Sequence, residues 1–219
     1  MNIKIELAKA ALESHAVELR FENPVTWSSG IKAPVYFDTW HIALHPVLQR
    51  IATNGFAEII GYGNLQFDRI GCVPASGIPF ATLLMDRFNC PVVYYNPNGK
   101  DEYGRKGRLD GEIKKGDRVL VIENIISTAK SSGEQIYYLR KAGAVITDCL
   151  AVFCYGLSKS AKVFNGEIPF DEKGIKLDPP VKADSILDRK ILEDVALENG
   201  FWKESDVKRL EDFFQNLNS

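Results

Sequence analysis

The sequence predicts an α/β fold built on a doubly wound, mostly parallel sheet. Apolar segments of strand length alternate along the middle of the chain with segments of helical periodicity. The run Val119–Ile122 is apolar at every position, which is typical of a strand covered by helices on both faces. The chain has 219 residues, 45% of them apolar, which is enough for one buried core without disulfides or a structural metal.

The N-terminal segment, residues 1–40, is expected to form a small unit in front of the core. Ile5, Ala8 and Leu12 recur at helical spacing and predict a helix from Ile3 to Val17. Turn-forming residues follow, and Val35–Phe37 is then a candidate for a short strand.

The α/β core is predicted between residues 40 and 165. Its expected elements are a helix opened by Pro46, a strand over Arg69–Val73, a helix over Pro79–Phe88, strands over Pro91–Tyr95 and Arg118–Ile122, a helix over Ser131–Ala142 and a strand over Ala144–Phe153. Gly143 occupies the position of a helix C-terminal cap. Residues 166–219 are expected to pack on this core as a helical C-terminal extension.

Composition narrows the possible functions. Lysine and arginine total 27 against 29 aspartate and glutamate, a net charge of -2, which argues against general nucleic-acid or membrane-surface binding. The longest apolar run, Cys149–Tyr155, has seven residues, whereas a bilayer span needs about 20. The N-terminus lacks a signal-peptide pattern, so we expect a cytoplasmic protein with no membrane partner. The four cysteines form no Cys-x-x-Cys pair, so reduced thiols are expected rather than a zinc site.

Two strand ends are candidates for an anion site, because ligands of open α/β sheets bind beyond the carboxyl ends of the strands. The first is the small-residue turn Gly71–Pro79, which feeds a helix. Its backbone amides could approach a phosphate, but many such turns need glycine for steric reasons alone.

The second strand end gives a stronger signal. After the apolar strand come Glu123 and Asn124, then a hydroxyl-rich loop with Lys130 and the start of a helix. Hydroxyls, loop amides and a helix N-terminus together suit a monophosphate, and the acid–amide pair could bind a sugar diol. A simpler interpretation is that Ser131 or Ser132 caps the helix, which is worth about 1 kcal/mol.

The segment from Asn96 to Arg108 is polar, charged and rich in glycine. A loop of this length inside a compact domain is usually functional or disordered. One interpretation is a solvated hairpin. The other is a mobile lid that carries cations over an anionic ligand, namely Lys100, Arg105, Lys106 and Arg108.

Four segments carry a resemblance to the orotate phosphoribosyltransferases, in the form found in Gram-positive bacteria. Val25–Asp38 resembles the base-site segment of that family, and Gly71–Pro79 resembles its pyrophosphate loop. Glu123–Ser132 falls on its signature for 5-phosphoribosyl-1-diphosphate (PRPP), and Tyr155–Ala161 with the helical tail matches its last third.

The resemblance implies a type I phosphoribosyltransferase fold. It also implies transfer of the phosphoribosyl group of PRPP to orotate, giving orotidine monophosphate and pyrophosphate with Mg²⁺ present. In this family a flexible loop brings lysines and a histidine onto the pyrophosphate across a homodimer interface. A homodimer whose substrates are PRPP and orotate is therefore expected.

The family's functional positions carry over onto this chain residue by residue. The PRPP site would comprise Ser76, Gly77, Glu123, Asn124, Ser127, Thr128, Ala129, Lys130 and Ser131. The base site would comprise Trp27, Ser28, Ser29, Gly30, Tyr36 and Phe37. Glu123 would also be the metal ligand, and Lys100 and Tyr103 would be the catalytic positions of the loop.

This chain departs from the family pattern at three places. Glu123-Asn124 stands where the family has two acids, and Ala129-Lys130 stands where it has a glycine turn. A positive φ at Ala129 would cost about 1 kcal/mol. In the loop, the family's arginine and two lysines fall on Pro97, Asn98 and Asp101, and its histidine falls on Tyr103; a one-residue slip puts Lys100 at a lysine position.

Three functions remain open from the sequence. The first is a working orotate phosphoribosyltransferase. The second is a non-catalytic relative that binds a nucleotide or phosphosugar as a regulator or partner module. The third is a phosphoribosyltransferase for another base, in which Arg105, Lys106 or Arg108 replaces the missing loop cations.

Overall fold

The computed structural model describes residues 2–73, 75–99 and 107–218. Its helices are α1 (Ile3–Glu13), α2 (Thr39–Leu44), α3 (Pro46–Tyr62), α4 (Ile78–Phe88), α5 (Lys130–Lys141), α6 (Ser158–Phe164), α7 (Arg189–Glu198) and α8 (Glu204–Asn218). Its strands are β1 (Val17–Leu19), β2 (Val25–Thr26), β3 (Lys32–Ala33), β4 (Val35–Phe37), β5 (Arg69–Cys72), β6 (Val92–Tyr95), β7 (Leu109–Asp110), β8 (Val119–Ile126), β9 (Asp148–Cys154) and β10 (Lys182–Asp188).

The central sheet has six strands in the order β10-β9-β8-β5-β6-β7, all parallel except β7, which pairs antiparallel with β6. Leu120 and Ile122 of β8 lie in the same buried cluster as residues of α4, whereas Val119 and Val121 lie in a second cluster with residues of α5. Helices therefore cover both faces of the sheet, and the predicted doubly wound α/β fold is confirmed.

Several element boundaries differ from the sequence-based prediction. The first helix ends at Glu13, because His15 adopts a positive φ of 59° and the chain then turns into β1. β8 extends beyond Ile122 to Ile126 and includes the polar residues Glu123 and Asn124. The strand β10 was not predicted. It pairs parallel with β9, so the C-terminal extension contributes an edge strand as well as helices.

The N-terminal segment forms two small antiparallel sheets, β1 with β4 and β2 with β3. The strand predicted at Val35–Phe37 is present as β4. α2 follows directly, and its N-cap is Asp38, whose side chain accepts hydrogen bonds from the amides of Trp40 and His41. Within the described part of the chain, no helix is long and apolar enough to cross a membrane.

Gly133 marks a close approach between α5 and the segment that follows α6. A Cβ atom at this position would lie 2.5 Å from Cβ and Cγ of Phe170, which is buried. Gly133→Ala is therefore expected to lower the free energy of unfolding by about 1–3 kcal/mol, because the added methyl overpacks the site. Chemical denaturation followed by circular dichroism measures this change.

Gly61 provides the matched control. It also lies in a helix, but a Cβ added there meets nothing within 4 Å. Gly61→Ala should raise the free energy of unfolding by about 0.4–1 kcal/mol, because alanine restricts the unfolded chain. Equal effects of the two substitutions would contradict the packing assigned to Gly133.

Candidate functional site

The candidate site lies at the point where the order in which the chain adds strands to the sheet reverses. β5 leads through α4 to β6 on one side, and its other neighbour, β8, leads through α5 to β9 on the opposite side. Ligands of doubly wound sheets bind at such a switch point, beyond the carboxyl ends of the strands. The turn after β5 also packs closely here, since a Cβ on Gly77 would lie 2.9 Å from the carbonyl oxygen of Val73 and 3.4 Å from that of Ile122.

The loop after β8 forms a cradle at the N-terminus of α5. Ala129 occupies the N-cap in a left-handed conformation, with φ 61° and ψ 19°, so the positive φ considered for this position is confirmed. An alanine in this region is strained by about 1–2 kcal/mol. Because alanine cannot cap the first-turn amides, these amides are available to an anion, and exposed Lys130 and Ser131 begin the helix.

The two hydroxyls beside the cradle have different environments. Ser132 is buried, and its Oγ donates a hydrogen bond of 2.8 Å to Oε1 of Glu123, so the prediction that Ser131 or Ser132 caps the helix is wrong. The Oγ of Ser127 is buried and makes no hydrogen bond to any described residue. An unpaired buried hydroxyl is costly, so a ligand or water that bonds to Ser127 would be favoured.

Glu123 and Asn124 point to opposite faces of β8, because strand side chains alternate. Glu123 is 3% exposed, and this burial raises the pKa of its carboxyl to about 7, although the hydrogen bond from Ser132 opposes the shift. Asn124 is half-buried on the other face, where its Nδ2 donates a hydrogen bond of 2.7 Å to Oγ1 of Thr39. The pair therefore does not converge on one point in this structure, and its role with a sugar diol stays a prediction.

The residues expected to bind the base divide into exposed and buried groups. Ser28, Ser29 and Gly30 form the exposed tip of the β2–β3 hairpin, and Gly30 has a φ of 85°. Tyr36 is 38% exposed. Trp27 and Phe37, in contrast, lie in the hydrophobic core, where their rings stack on Tyr155 and Phe153 with centroid distances of 3.9 Å and 4.3 Å. Only the exposed group is open to a ligand in this conformation.

The long charged segment has a hairpin stem. The Asn96 amide donates to the Arg108 carbonyl at 2.7 Å, beside the antiparallel pairing of β6 with β7. Arg108 donates from Nη1 to the Pro97 carbonyl at 2.9 Å, and its guanidinium lies 4.6 Å from the ring centroid of Tyr138. The described ends of this segment therefore form a hairpin stem, which both interpretations allow, so the solvated hairpin and the lid both stay predictions. The catalytic candidates Lys100 and Tyr103, and the lid cations Arg105 and Lys106, lie outside the described residues.

Thr39, Ser132 and Tyr155 contact the candidate site residues. Thr39 and Tyr155 were not predicted as part of the site, and Ser132, the last residue of the PRPP-signature segment, was considered only as a helix cap. Thr39 bonds to Asn124, Ser132 bonds to Glu123, and Tyr155 stacks on Trp27. Each of these contacts links residues that are distant along the chain or that lie on different elements. One sequence pattern pointed to one of these residues: the apolar run that ends at Tyr155 indicated that this tyrosine is buried. The run did not indicate which side chain the tyrosine contacts.

Comparison with known proteins gives one consistent result. An orotate phosphoribosyltransferase of Staphylococcus haemolyticus is 32% identical over 215 residues, covering 97% of this chain and 98% of that protein. The enzyme of the same name from Coxiella burnetii is 34% identical over 165 residues, or 75% of this chain and 78% of that protein. A solved orotate phosphoribosyltransferase from Aeropyrum pernix superposes with a TM-score of 0.67 at 23% identity, covering 90% of this chain and 99% of that one. No family model matches the sequence.

The raised pKa of Glu123 predicts a specific pH dependence of stability. The Glu123 carboxyl has a pKa of about 7 in the folded protein and near 4.5 in the unfolded chain. The folded state is therefore more stable when this carboxyl is protonated. Its contribution to stability is complete below pH 4.5 and is lost as the pH rises to about 7. Glu123→Gln has no carboxyl to ionise and does not show this loss. The free energy of unfolding of the variant minus that of the unaltered protein should therefore increase by about 3 kcal/mol between pH 4.5 and pH 8.

Denaturant titrations at several pH values measure this difference. Glu112 is exposed, and Glu112→Gln is the control for the loss of a surface carboxyl group. A difference between Glu123→Gln and the unaltered protein that is constant with pH would show that the buried carboxyl does not titrate in this range.

Proposed function

Because this chain belongs to the orotate phosphoribosyltransferase family, we propose that it transfers the phosphoribosyl group of PRPP to orotate, giving orotidine monophosphate and pyrophosphate. One observation of the structure carries the proposal. The hydrogen bond from Asn124 to Thr39 joins the carboxyl end of β8 to the segment directly after β4. The segment that follows exposed Tyr36 and the loop that forms the anion cradle are thereby both joined to the carboxyl end of β8.

The proposed reaction needs positioning and electrostatic stabilisation more than covalent participation by the protein. The ribosyl carbon gains positive charge as pyrophosphate leaves, and orotate nitrogen attacks it in line. The free amides at the N-terminus of α5 would hold the 5′-phosphate, and the unpaired hydroxyl of Ser127 would donate to one of its oxygens. Exposed Lys130, at the first position of α5, would add a positive charge close to the same oxygens.

For magnesium, we propose that the ion enters with the substrate. Among residues 2–73, 75–99 and 107–218, no group of three or more His, Cys, Asp or Glu side chains could hold a metal ion. Glu123, the predicted ligand, is buried and bonded to Ser132. Mg²⁺ binds commonly to substrate phosphates with few protein ligands, so we propose that the diphosphate of PRPP carries it and that no dedicated protein cage does.

A silent nucleotide-binding relative is the second candidate function. It is favoured by the orientation of Glu123, which faces Ser132 and not the cradle, and by the amide at position 124 in place of an acid. Such a protein would bind PRPP or a nucleotide in the same cradle without turning it over.

A direct assay separates the candidates. Purified protein is mixed with orotate, PRPP and Mg²⁺, and loss of orotate absorbance is followed, with calorimetry of PRPP binding in parallel. We expect loss of orotate that requires both PRPP and Mg²⁺. Binding of PRPP without loss of orotate would support the silent relative, and consumption of another base in place of orotate would support a different phosphoribosyltransferase. Absence of both binding and turnover would contradict the proposal.

Lys130→Gln tests the cationic contribution to the cradle. Loss of one charge-assisted hydrogen bond should raise the PRPP dissociation constant about tenfold. The matched control is Lys141→Gln, at the opposite end of the same helix, which should bind PRPP as the unaltered protein does. If PRPP binds Lys130→Gln as tightly or more tightly, the lysine does not contact the phosphate.

We further propose that the protein is a homodimer and that α2 lies in its interface. Trp40 and Leu44 are four residues apart on one face of α2 and are 42% and 71% exposed. Val47, in the first turn of α3, is 49% exposed. An apolar patch of this kind is typical of an interaction surface.

Leu44→Glu is expected to convert the dimer to a monomer at micromolar concentration, because the interface would have to bury a charge. Light scattering coupled to gel filtration measures the mass. Tyr62→Glu, at the exposed end of α3, is the control and should remain dimeric. A monomeric unaltered protein would remove the dimer proposal, and a dimeric Leu44→Glu would move the interface elsewhere.

A further inference from the structure

Tyr36 lies on β4, which among the described residues pairs with another strand along one edge only. β4 pairs with β1 in a two-stranded sheet. On that edge the Arg20 amide donates to the Pro34 carbonyl at 2.6 Å, and the Asp38 amide donates to the Ala16 carbonyl at 2.7 Å. Backbone groups of successive strand residues alternate between edges, so those of Val35 and Phe37 point the other way. Buried backbone groups on that side need partners from elsewhere.

Two aromatic side chains supply two of these partners. Nε1 of Trp27 donates a hydrogen bond of 3.0 Å to the carbonyl oxygen of Val35. The amide of Phe37 donates a hydrogen bond of 3.3 Å to the hydroxyl oxygen of Tyr155. The two contacts lie on either side of Tyr36, so the backbone of this residue is fixed at both of its neighbours.

The aromatic pair is itself held rigidly. Trp27 and Tyr155 stack with ring centroids 3.9 Å apart and an angle of 22° between their planes. Phe214 of α8 packs behind both rings, at 6.3 Å from Trp27 and 6.1 Å from Tyr155. Phe153 meets Tyr155 edge-on at 4.9 Å. Both members of the pair are more than nine-tenths buried, so they replace a missing strand with packed side chains.

Tyr36 projects from the opposite face of β4. Its neighbours Val35 and Phe37 are buried, whereas Tyr36 is 38% exposed, as the alternation of a strand requires. Its ring is therefore available to stack on a planar base, and its position depends on the backbone that the aromatic pair holds.

We infer that Trp27 and Tyr155 are positioning residues for the base: they contact no substrate, but they fix the β4 backbone so that Tyr36 is set in place before orotate binds. The inference rests on the proposed function. It reassigns Trp27 from a base contact to a support of one. A ring ordered in advance loses less conformational entropy on binding, so the benefit falls on orotate affinity and not on PRPP affinity.

Tyr155→Phe tests the inference, because it deletes the hydroxyl and retains the stacked ring. The Phe37 amide loses its acceptor, so its hydrogen exchange should accelerate by up to about tenfold, as loss of one hydrogen bond allows. The orotate dissociation constant and the KM for orotate should rise by about threefold to tenfold, whereas the PRPP dissociation constant should stay unchanged. Calorimetry, steady-state kinetics and hydrogen-exchange NMR supply the readouts.

Tyr137→Phe is the matched control. Tyr137 is a half-buried tyrosine of α5 that packs in the other hydrophobic cluster, and its substitution should leave the affinity for orotate and the exchange at Phe37 unchanged. Equal weakening of orotate and PRPP binding by Tyr155→Phe would indicate a general structural role and overturn the inference. Unchanged orotate affinity would overturn it too, while leaving the proposed function intact. If the unaltered protein binds no orotate, the proposed function fails and the inference falls with it.

Discussion

The site depends on the burial of β8 on both faces of the sheet. A strand covered by helices on both sides must place successive side chains in two different layers. Leu120, Ile122 and Asn124 therefore belong to the layer that contains the base segment, whereas Val121 and Glu123 belong to the layer under α5. The polar pair at the end of this strand consequently braces two separate parts of the site. Asn124 bonds to the segment after β4, and Glu123 bonds to the first turn of α5.

The position of Glu123 on the α5 side of β8 determines how the N-terminus of α5 is capped. Ser132, which could have capped α5, is bonded to Glu123, and the N-cap position is occupied by Ala129 in a left-handed conformation. This arrangement strains the backbone at Ala129, and burial raises the pKa of the Glu123 carboxyl to about 7. The result is an α5 N-terminus whose N-cap residue supplies no side-chain hydrogen bond to the first-turn amides, and a helix end of this kind favours an anion.

The base side of the site is supported in a different way. The N-terminal segment has no wide sheet of its own, and its strand β4 is completed by an indole and a phenol in place of another strand. The supporting rings are covered by Phe214 of the C-terminal helix α8. The beginning and the end of the chain thus meet behind the base segment, which explains how a small two-stranded unit can present an exposed aromatic side chain in a defined orientation.

Short-range sequence patterns predicted the elements that depend on residues close together along the chain. The apolar runs predicted β5, β6, β8 and β9, the turn residues predicted the helix starting at Pro46 and the cap at Gly143, and the motif order indicated the family. A positive φ at Ala129 was considered from the sequence as a condition and is present in the structure. Tertiary structure alone decided the partners of Glu123, Asn124 and Trp27, the addition of β10 to the sheet, and the burial of two of the expected base contacts. These outcomes depend on contacts between residues as far apart as Thr39 and Asn124, or Phe37 and Tyr155. Periodicity and spacing describe neighbours along the chain, whereas such pairs meet only when the whole sheet has been assembled.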